Sequence, residues 1–161
     1  MTAPLSDEGA MAIALEEAAL AAAGGDVPVG AVVLLEGRVL SRRHNEREAG
    51  RDPTAHAEIL ALREAAAVVG SWRLGGATLV VSLEPCPMCA GAAVAARVGR
   101  VVFGAADPKA GACGSLYNLC ADPRLNHEPE VVPGVLGDDC GELLRGYFED
   151  KREPAANKRA T

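Results

Sequence analysis

Pro85-Cys86-Pro87-Met88-Cys89 joins two segments of opposite character. The preceding segment 77–82 is apolar and β-branched, which predicts a buried strand. Prolines are well placed in the first turn of a helix, so a helix is predicted over 88–97. The two cysteines therefore lie at a helix N-terminus, where the helix dipole and free amide groups stabilise thiolates. This stretch predicts a paired-thiolate site at one edge of a sheet.

The Cys-x-x-Cys spacing alone leaves more than one chemistry open. Such a pair can bind one metal ion or form one redox-active disulfide, as in thioredoxin-like folds. A structural zinc knuckle would need a second pair of Cys or His ligands. Cys113 and Cys120 are spaced too widely to form that pair by themselves. We predict that they and Cys140 are small apolar core residues.

His56-Ala57-Glu58 adds a third ligand and an acid. This motif lies at the predicted start of another helix, and in a βαβ-type unit both helix starts can meet at one sheet edge. His56, Cys86 and Cys89 would then leave the fourth tetrahedral position of a zinc ion for water, which is typical of catalytic sites. Glu58 could reach that water without binding the metal, so it is the predicted proton shuttle. We expect one zinc ion per subunit and no organic cofactor.

Strands and helices alternate along the rest of the chain, which predicts an α/β sandwich with a largely buried sheet. No internal repeat or linker divides it, so we expect one domain over 1–161, with a core of about 6–148 and a frayed C-terminal tail. The other predicted elements are a helix from Ser6 to Gly24-Gly25, a hairpin of 31–35 and 38–41, a helix over 55–69 started by Asp52-Pro53-Thr54, a strand over 101–103, a loop over 107–123, a strand over 130–136 and a helix over 138–149.

Composition limits the functional classes. The 161 residues are 49% hydrophobic and 24% charged, which excludes a disordered chain. The net charge of -6 counts against a generic nucleic-acid binder but leaves room for a local basic groove. Basic residues crowd 38–51 and the tail (Lys151, Arg152, Lys158 and Arg159), and we interpret both groups as solvated faces. No apolar run is long enough for a membrane span and no signal-peptide pattern is present, so we expect a cytoplasmic protein.

His56-Ala57-Glu58 together with Pro85-Cys86-Pro87-Met88-Cys89 resembles the zinc-dependent cytidine and nucleobase deaminase superfamily. The chain is further similar to the bacterial tRNA-specific adenosine deaminases from about Ser6 to Phe148. The segments that carry this second similarity are 28–33, Asn45, 103–116, 126–127 and 130–136.

This resemblance implies a three-layer α/β/α sandwich of the cytidine deaminase type, with a mixed sheet of about five strands between helices. It also implies a homodimer that converts adenosine to inosine at the wobble position of a tRNA anticodon stem-loop, usually that of an arginine tRNA. Asn45 should hydrogen-bond the flipped base, and Val29 should pack against it. Asp107, Lys109 and His127 should lie along the anticodon-loop channel.

Two other functions stay open. Because the superfamily shares the zinc site, the substrate could be a free base or nucleotide such as guanine, cytosine or deoxycytidylate, and the loop 107–116 is the discriminating feature. A non-catalytic zinc-binding protein would have no need of Glu58 beside the metal. The family's last helix tends to be basic after its aromatic pair, whereas Glu149-Asp150 follow Tyr147-Phe148 here. We therefore expect RNA to be held by a small local patch and by base insertion.

Overall fold

The computed structural model describes the backbone of residues 3–160 and the side chains of residues 3–151. The elements in chain order are α1 (Asp7–Ala23), β1 (Gly30–Leu35), β2 (Arg38–His44), α2 (Arg47–Gly50), α3 (Ala57–Val69), β3 (Thr78–Leu83), α4 (Pro87–Ala96), β4 (Arg100–Ala105), β5 (Glu130–Val132) and α5 (Gly137–Ala160). A single 3-10 turn, Leu119–Ala121, interrupts the loop between β4 and β5.

The strands form one mixed sheet in the order β2-β1-β3-β4-β5. β1 is antiparallel to both of its neighbours, whereas β3, β4 and β5 are parallel. The register of the hairpin shifts between Val33 and Leu34, where a bulge interrupts the β1–β2 ladder. The predicted mixed sheet of about five strands is confirmed.

Helices cover both faces of the sheet, as predicted. Successive side chains of a strand point to opposite faces. Ala31 and Val33 of β1 belong to the core cluster that also contains buried residues of α3 and α4. Val32 and Leu34 belong to the second cluster, with residues of α1 and α5. The chain is therefore a three-layer α/β/α sandwich with α3 and α4 on one face and α1 and α5 on the other.

Helix α1 begins and ends as its sequence predicts and lies close to the sheet. The Ser6 hydroxyl accepts a hydrogen bond from the Gly9 N–H at 3.0 Å, which caps the N-terminus, and Gly24 ends the helix. The approach to the sheet is close at Gly30, where an added Cβ would lie 1.8 Å from the Ala14 carbonyl oxygen. Glycine is therefore required at this crossing.

The start of α3 differs from the prediction. The Asp52 carboxylate accepts from both the N–H and the hydroxyl of Thr54, at 2.8 and 2.7 Å. These bonds form a local turn instead of a helix start, so the prediction that Asp52-Pro53-Thr54 begins the helix is wrong. Helix α3 begins at Ala57, with His56 as its N-cap. The short helix α2 was not predicted, because its four residues show no apolar periodicity.

The C-terminal elements also differ. β5 ends at Val132, not at residue 136, because Pro133 has no N–H and Gly134 and Leu136 adopt positive φ angles of 80° and 50°. Helix α5 spans Gly137–Ala160 and so extends beyond the helix predicted over 138–149. The frayed C-terminal tail stays a prediction.

The basic side chains predicted to form a solvated tail face, Arg152, Lys158 and Arg159, lie outside the described side chains. Within the described backbone, no helix combines the length and the apolar character that a membrane span requires.

Candidate metal centre and substrate cleft

Two helix starts bring the predicted metal ligands together. His56 is the N-cap of α3, Cys86 is the N-cap of α4, and Cys89 lies in the first turn of α4. His56 Nδ1 lies 3.6 Å from Cys86 Sγ and 3.5 Å from Cys89 Sγ. The three donor atoms all lie within 4.8 Å of one another. This spacing allows all three to bind one metal ion.

The chemistry of the donor set fits zinc, which prefers imidazole nitrogen and thiolate sulfur. A hydrogen bond from the Cys89 thiol, assisted by His56, lowers the pKa of Cys86 to about 4, and the same pairing raises the pKa of Cys89. One sulfur is therefore already a thiolate at neutral pH, and a bound zinc ion would displace the proton of the other. Three ligands leave a fourth position open, as in catalytic zinc sites.

Glu58 is the buried acid of the site. It occupies the first turn of α3 and is 4% exposed. Burial raises the pKa of its carboxyl above the usual range. A carboxyl whose two forms are closer in energy at neutral pH can both accept and donate a proton, which is what a proton shuttle requires.

A cleft of about 150 Å³ opens beside the metal ligands. Pockets for drug-sized ligands have volumes of about 300–1,000 Å³, so this recess is suited to a single heterocyclic base. Three of the residues predicted to bind substrate lie in its wall: Val29, Asn45 and Asp107. The lining also contains His56, Glu58 and Cys86, together with Val27, Arg47, Leu83, Glu84 and Ala110.

Asn45 joins the cleft to the start of α3. Its Oδ1 accepts from the Ala57 N–H at 2.8 Å, and its Nδ2 donates to the Val27 carbonyl at 3.1 Å. A carboxamide has two lone pairs and two N–H groups, so one acceptor site and one donor remain. Asn45 can therefore serve the backbone and a bound ligand at once.

Lys109 and His127, which were also predicted to contact substrate, lie at different ends of the sheet. Lys109 is exposed next to the cleft wall, and its N–H donates to Asp107 Oδ1 at 3.0 Å. His127 Nε2 donates to the Val98 carbonyl at 2.6 Å. β3 and β4 are neighbouring parallel strands. Val98 lies before the start of β4, whereas Cys86 lies after the end of β3, so His127 and the metal ligands are at opposite ends of the strands. Within one chain, the structure does not bring His127 to the cleft.

Sequence reasoning missed two charged residues of the cleft. The Arg47 guanidinium donates two hydrogen bonds to the buried Asp26 carboxylate, at 3.1 and 2.8 Å. Glu84 is 2% exposed. Burial alone would raise the pKa of Glu84, but hydrogen bonds from the loop around Ser115 outweigh it and hold the pKa below its usual range. The available signal was an acidic residue directly between an apolar strand and the Pro-Cys motif.

Several known proteins are similar to this chain. Residues 5–105 match the family described as "Cytidine and deoxycytidylate deaminase zinc-binding region". The chain is 51% identical over 154 residues to the tRNA-specific adenosine deaminase of Bacillus subtilis, which covers 94% of this chain and 96% of that protein. It is 46% identical over 148 residues to the tRNA-specific adenosine deaminase of Haemophilus influenzae, with 91% and 86% covered.

Two solved structures share the fold. One comes from studies of A-to-I editing by tRNA:A34 deaminases at the wobble position of transfer RNA; it has a TM-score of 0.82 and 44% identity, covering 84% of this chain and 98% of that one. A guanine deaminase from Nitrosomonas europaea has a TM-score of 0.79 and 28% identity, covering 91% and 86%. The family match contains His56, Cys86 and Cys89 as well as Glu58. The chain therefore belongs to the family of zinc-binding cytidine and deoxycytidylate deaminases.

Proposed function

We propose that this chain is a tRNA-specific adenosine deaminase of one deaminase domain, which converts adenosine to inosine at the wobble position of an anticodon stem-loop. The observation that carries the proposal is the placement of the buried Glu58 in one cleft with Asn45, His56 and Cys86. The third proposed zinc ligand, Cys89, lies beside this cleft, within reach of the same metal ion. Similarity over nearly the whole chain to tRNA-specific adenosine deaminases supports the choice of substrate. An arginine tRNA is the substrate to try first, and a tRNA substrate implies a cytoplasmic location.

Hydrolytic deamination needs a nucleophile and a group that moves protons. When bound, zinc lowers the pKa of water toward about 7 and so supplies the nucleophile at neutral pH. Glu58 takes up a proton from the attacking water as its oxygen bonds to C6, and delivers that proton to N1 of the adenine. It then takes the second proton from the hydroxyl group now on C6 and delivers it to the amino group. The C6–N bond breaks, ammonia leaves, and the C6 carbonyl of inosine forms. One carboxyl performs both transfers because its acid and base forms alternate during turnover.

Asn45 and Val29 recognise the base. Adenine presents adjacent donor and acceptor atoms on its edge, and a carboxamide can pair with both. The unused lone pair and N–H of Asn45 are the groups for this pairing, while the buried Val29 side chain packs against the ring. An anticodon loop is single-stranded, so a base can be splayed into the cleft at modest cost. Asp107, in the cleft wall, and the exposed Lys109 are the residues proposed to contact the flanking nucleotides.

The surface around Trp72 supports a homodimer. Trp72 is 60% exposed, and the guanidinium carbons of Arg73 and Arg97 lie 4.9 and 6.0 Å from the centroid of its ring. Apolar grooves on either side of the ring are lined by α3 and α4, among them Leu62, Ala92 and Val94. Exposed apolar patches of this kind commonly mark protein–protein contacts. The proposed occupant is a second copy of the chain.

Sedimentation of the full chain tests the dimer. We expect the wild type to sediment as a dimer and Trp72→Glu to shift it toward monomer. Val68→Glu is the matched control, because Val68 is 61% exposed on α3 but lies outside the residues that line the grooves. A monomeric wild type would refute the dimer, and an equal shift in both variants would refute the assigned surface.

Incubation with an unmodified arginine tRNA that carries adenosine at the wobble position tests the function, with inosine detected by sequencing. We expect inosine at that position alone and no turnover of free guanine or cytosine. The reverse result would favour a free-base deaminase, which the likeness to the Nitrosomonas europaea guanine deaminase makes the alternative to exclude.

Glu58→Ala separates catalysis from metal binding. We expect the variant to keep its zinc and to lose about 10²–10⁴-fold in kcat, because proton transfer by a positioned group contributes about that much. His56→Ala is the comparison variant and should lose both zinc and activity. Full activity of Glu58→Ala would overturn the mechanism.

A further inference from the structure

Glu84 is the buried acid that the mechanism does not use. It follows β3 directly and stands two residues before Cys86. Its Oε1 accepts from the Asp107 N–H at 3.0 Å and from the Ser115 hydroxyl. Its Oε2 accepts from the N–H groups of Cys113 and Ser115, both at 3.0 Å. All four donors belong to one segment, residues 107–115, which we call the substrate loop.

These contacts saturate the carboxylate. Two carboxylate oxygens offer about four acceptor sites, and the substrate loop supplies four donors. No acceptor is left for a metal ion, a water or a base. The Glu84 carboxylate therefore holds the substrate loop in place, and it has no free oxygen lone pair with which to accept a proton during catalysis.

The substrate loop also closes over Glu84 sterically. An added Cβ at Gly111 would lie 2.3 Å from the Glu84 carboxyl carbon, so a side chain at this point would have to displace the carboxylate from its hydrogen bonds. The Ala112 N–H donates to the Pro85 carbonyl at 2.8 Å, and the Glu84 N–H donates to the Ala105 carbonyl at 2.8 Å. The substrate loop is thus bonded to the segment that leads to Cys86 at two successive residues, the Glu84 side chain and the Pro85 carbonyl.

The same loop forms part of the cleft wall through Asp107 and Ala110. The Asp107 carboxylate accepts from the N–H of Lys109 and Ala110, at 3.0 and 3.2 Å, which orders the loop tip. A change at Glu84 would therefore move the wall that faces the substrate. The ligands would stay in place, because Cys86 and His56 are fixed by the helix starts.

We propose that Glu84 is a positioning residue: it sets the substrate loop at a fixed place relative to the zinc ligands and thereby controls how substrate, and not metal, is bound. This inference rests on the proposed function for its kinetic readout alone. The order of the loop and the zinc content can be measured without substrate.

Glu84→Gln is the test variant, because the amide keeps the volume but turns an N–H group toward loop donors. We expect unchanged zinc content and amide exchange at Asp107, Cys113 and Ser115 that is faster by about tenfold or more, since hydrogen bonds to a charged acceptor are lost. With the anticodon stem-loop, KM should rise by about tenfold while kcat changes by less than about threefold. Glu64→Gln, on the solvent side of α3, is the matched control and should match wild type in every readout.

Two further variants keep the proposal falsifiable if Glu84→Gln fails to fold. Ser115→Ala removes one donor and should raise KM and exchange in the same direction by a smaller factor. Glu84→Asp keeps the charge but reaches less far, and should fall between wild type and Glu84→Gln.

A loss of kcat in Glu84→Gln with unchanged KM and exchange would overturn the proposal, because it would place Glu84 in the chemistry. Loss of zinc in proportion to activity would also overturn it, because Glu84 would then support the metal. If the wild type fails to act on the stem-loop, the proposed function falls, while exchange and zinc content still decide the role of Glu84.

Discussion

The Asn45 side chain has two roles: its carboxamide bonds two backbone groups of the fold, and it also lines the cleft proposed to bind the base. Asn45→Ala would leave the buried Ala57 N–H without its side-chain acceptor and would remove one of the two donors to the Val27 carbonyl, which keeps the Val29 N–H at 2.8 Å. We expect the free energy of unfolding in urea to fall by about 1–3 kcal/mol. Substrate use should fall as well, while zinc content stays at the wild-type level.

Asn45→Asp is the control, because it keeps the acceptor for Ala57 and loses the donor to Val27. It should recover part of the stability without recovering base recognition. Unchanged kinetics in Asn45→Ala would show that the residue serves the fold alone.

Single residues differ in how far the sequence predicts their roles. His56, Cys86 and Cys89 could be predicted because ligand chemistry imposes their spacing on two helix starts. Glu58 followed from its position beside a ligand. Glu84 was missed because its partners lie 23 to 31 positions further along the chain and are mostly backbone N–H groups, which carry no sequence signal.

The packing of helix α1 against the sheet depends on the glycine at the start of β1. In Gly30→Ala the new Cβ would lie 1.8 Å from the Ala14 carbonyl oxygen, so helix and strand must separate. We expect a loss of about 3 kcal/mol or more in the free energy of unfolding, which is at the upper end for overpacking. Denaturant unfolding followed by circular dichroism measures it.

Gly146→Ala is the matched control for that substitution. Gly146 lies within α5, and an added Cβ would have no atom within 4 Å. It should gain about 0.5–1 kcal/mol, because alanine loses less conformational entropy than glycine in a helix. Equal effects at the two positions would show that the close crossing of α1 is not what requires glycine.

The buried Asp26 carboxylate, between α1 and α2, should make the free energy of unfolding fall as the pH becomes acidic. Burial alone would raise the pKa of Asp26, but hydrogen bonds from Arg47, Glu48 and Val27 outweigh it and hold the pKa below its usual range. A carboxyl with a lowered pKa in the folded state stabilises the fold above its unfolded pKa, and this contribution disappears as pH falls through the folded value.

Wild type should therefore lose more of its free energy of unfolding than Asp26→Asn between about pH 5 and pH 2. At neutral pH the variant should be less stable by about 1–3 kcal/mol, because a charged acceptor is removed. Urea titrations at several pH values measure both effects. Parallel pH profiles for the two proteins would contradict the assigned role of Asp26.

Helices and strands with strong apolar periodicity could be predicted from the sequence, whereas element ends that are fixed by local turns could not. Helix α1 and the hairpin carry clear caps, turns and apolar patterns. The start of α3 was misplaced because the Asp52 side chain bonds Thr54 within a turn, and a cap and a turn use the same residue types. The length of β5 was overestimated because an apolar run does not reveal the positive φ angles beyond the end of the strand.

For the whole molecule, the charge distribution predicts a shallow salt dependence of RNA binding. The net charge is -6, and the cations described next to the cleft are the ion-paired Arg47 and the exposed Lys109. Neutralising about two phosphates of a single strand gives a slope no steeper than about -1.5 for the logarithm of affinity against the logarithm of salt concentration. Binding titrations of the anticodon stem-loop from low to high salt measure it, and a much steeper slope would indicate a broad basic surface.

The convergence of two helix starts on the metal ligands has an electrostatic consequence. A zinc ion held by the two thiolates of Cys86 and Cys89 would be formally electroneutral, and both cysteines lie in the N-terminal turn of α4, where the helix dipole is partially positive. A neutral centre in an acidic protein exerts little pull on a phosphodiester. The depths of the cleft therefore favour the uncharged heterocycle, and the polyanionic backbone of the nucleic acid is left at the rim.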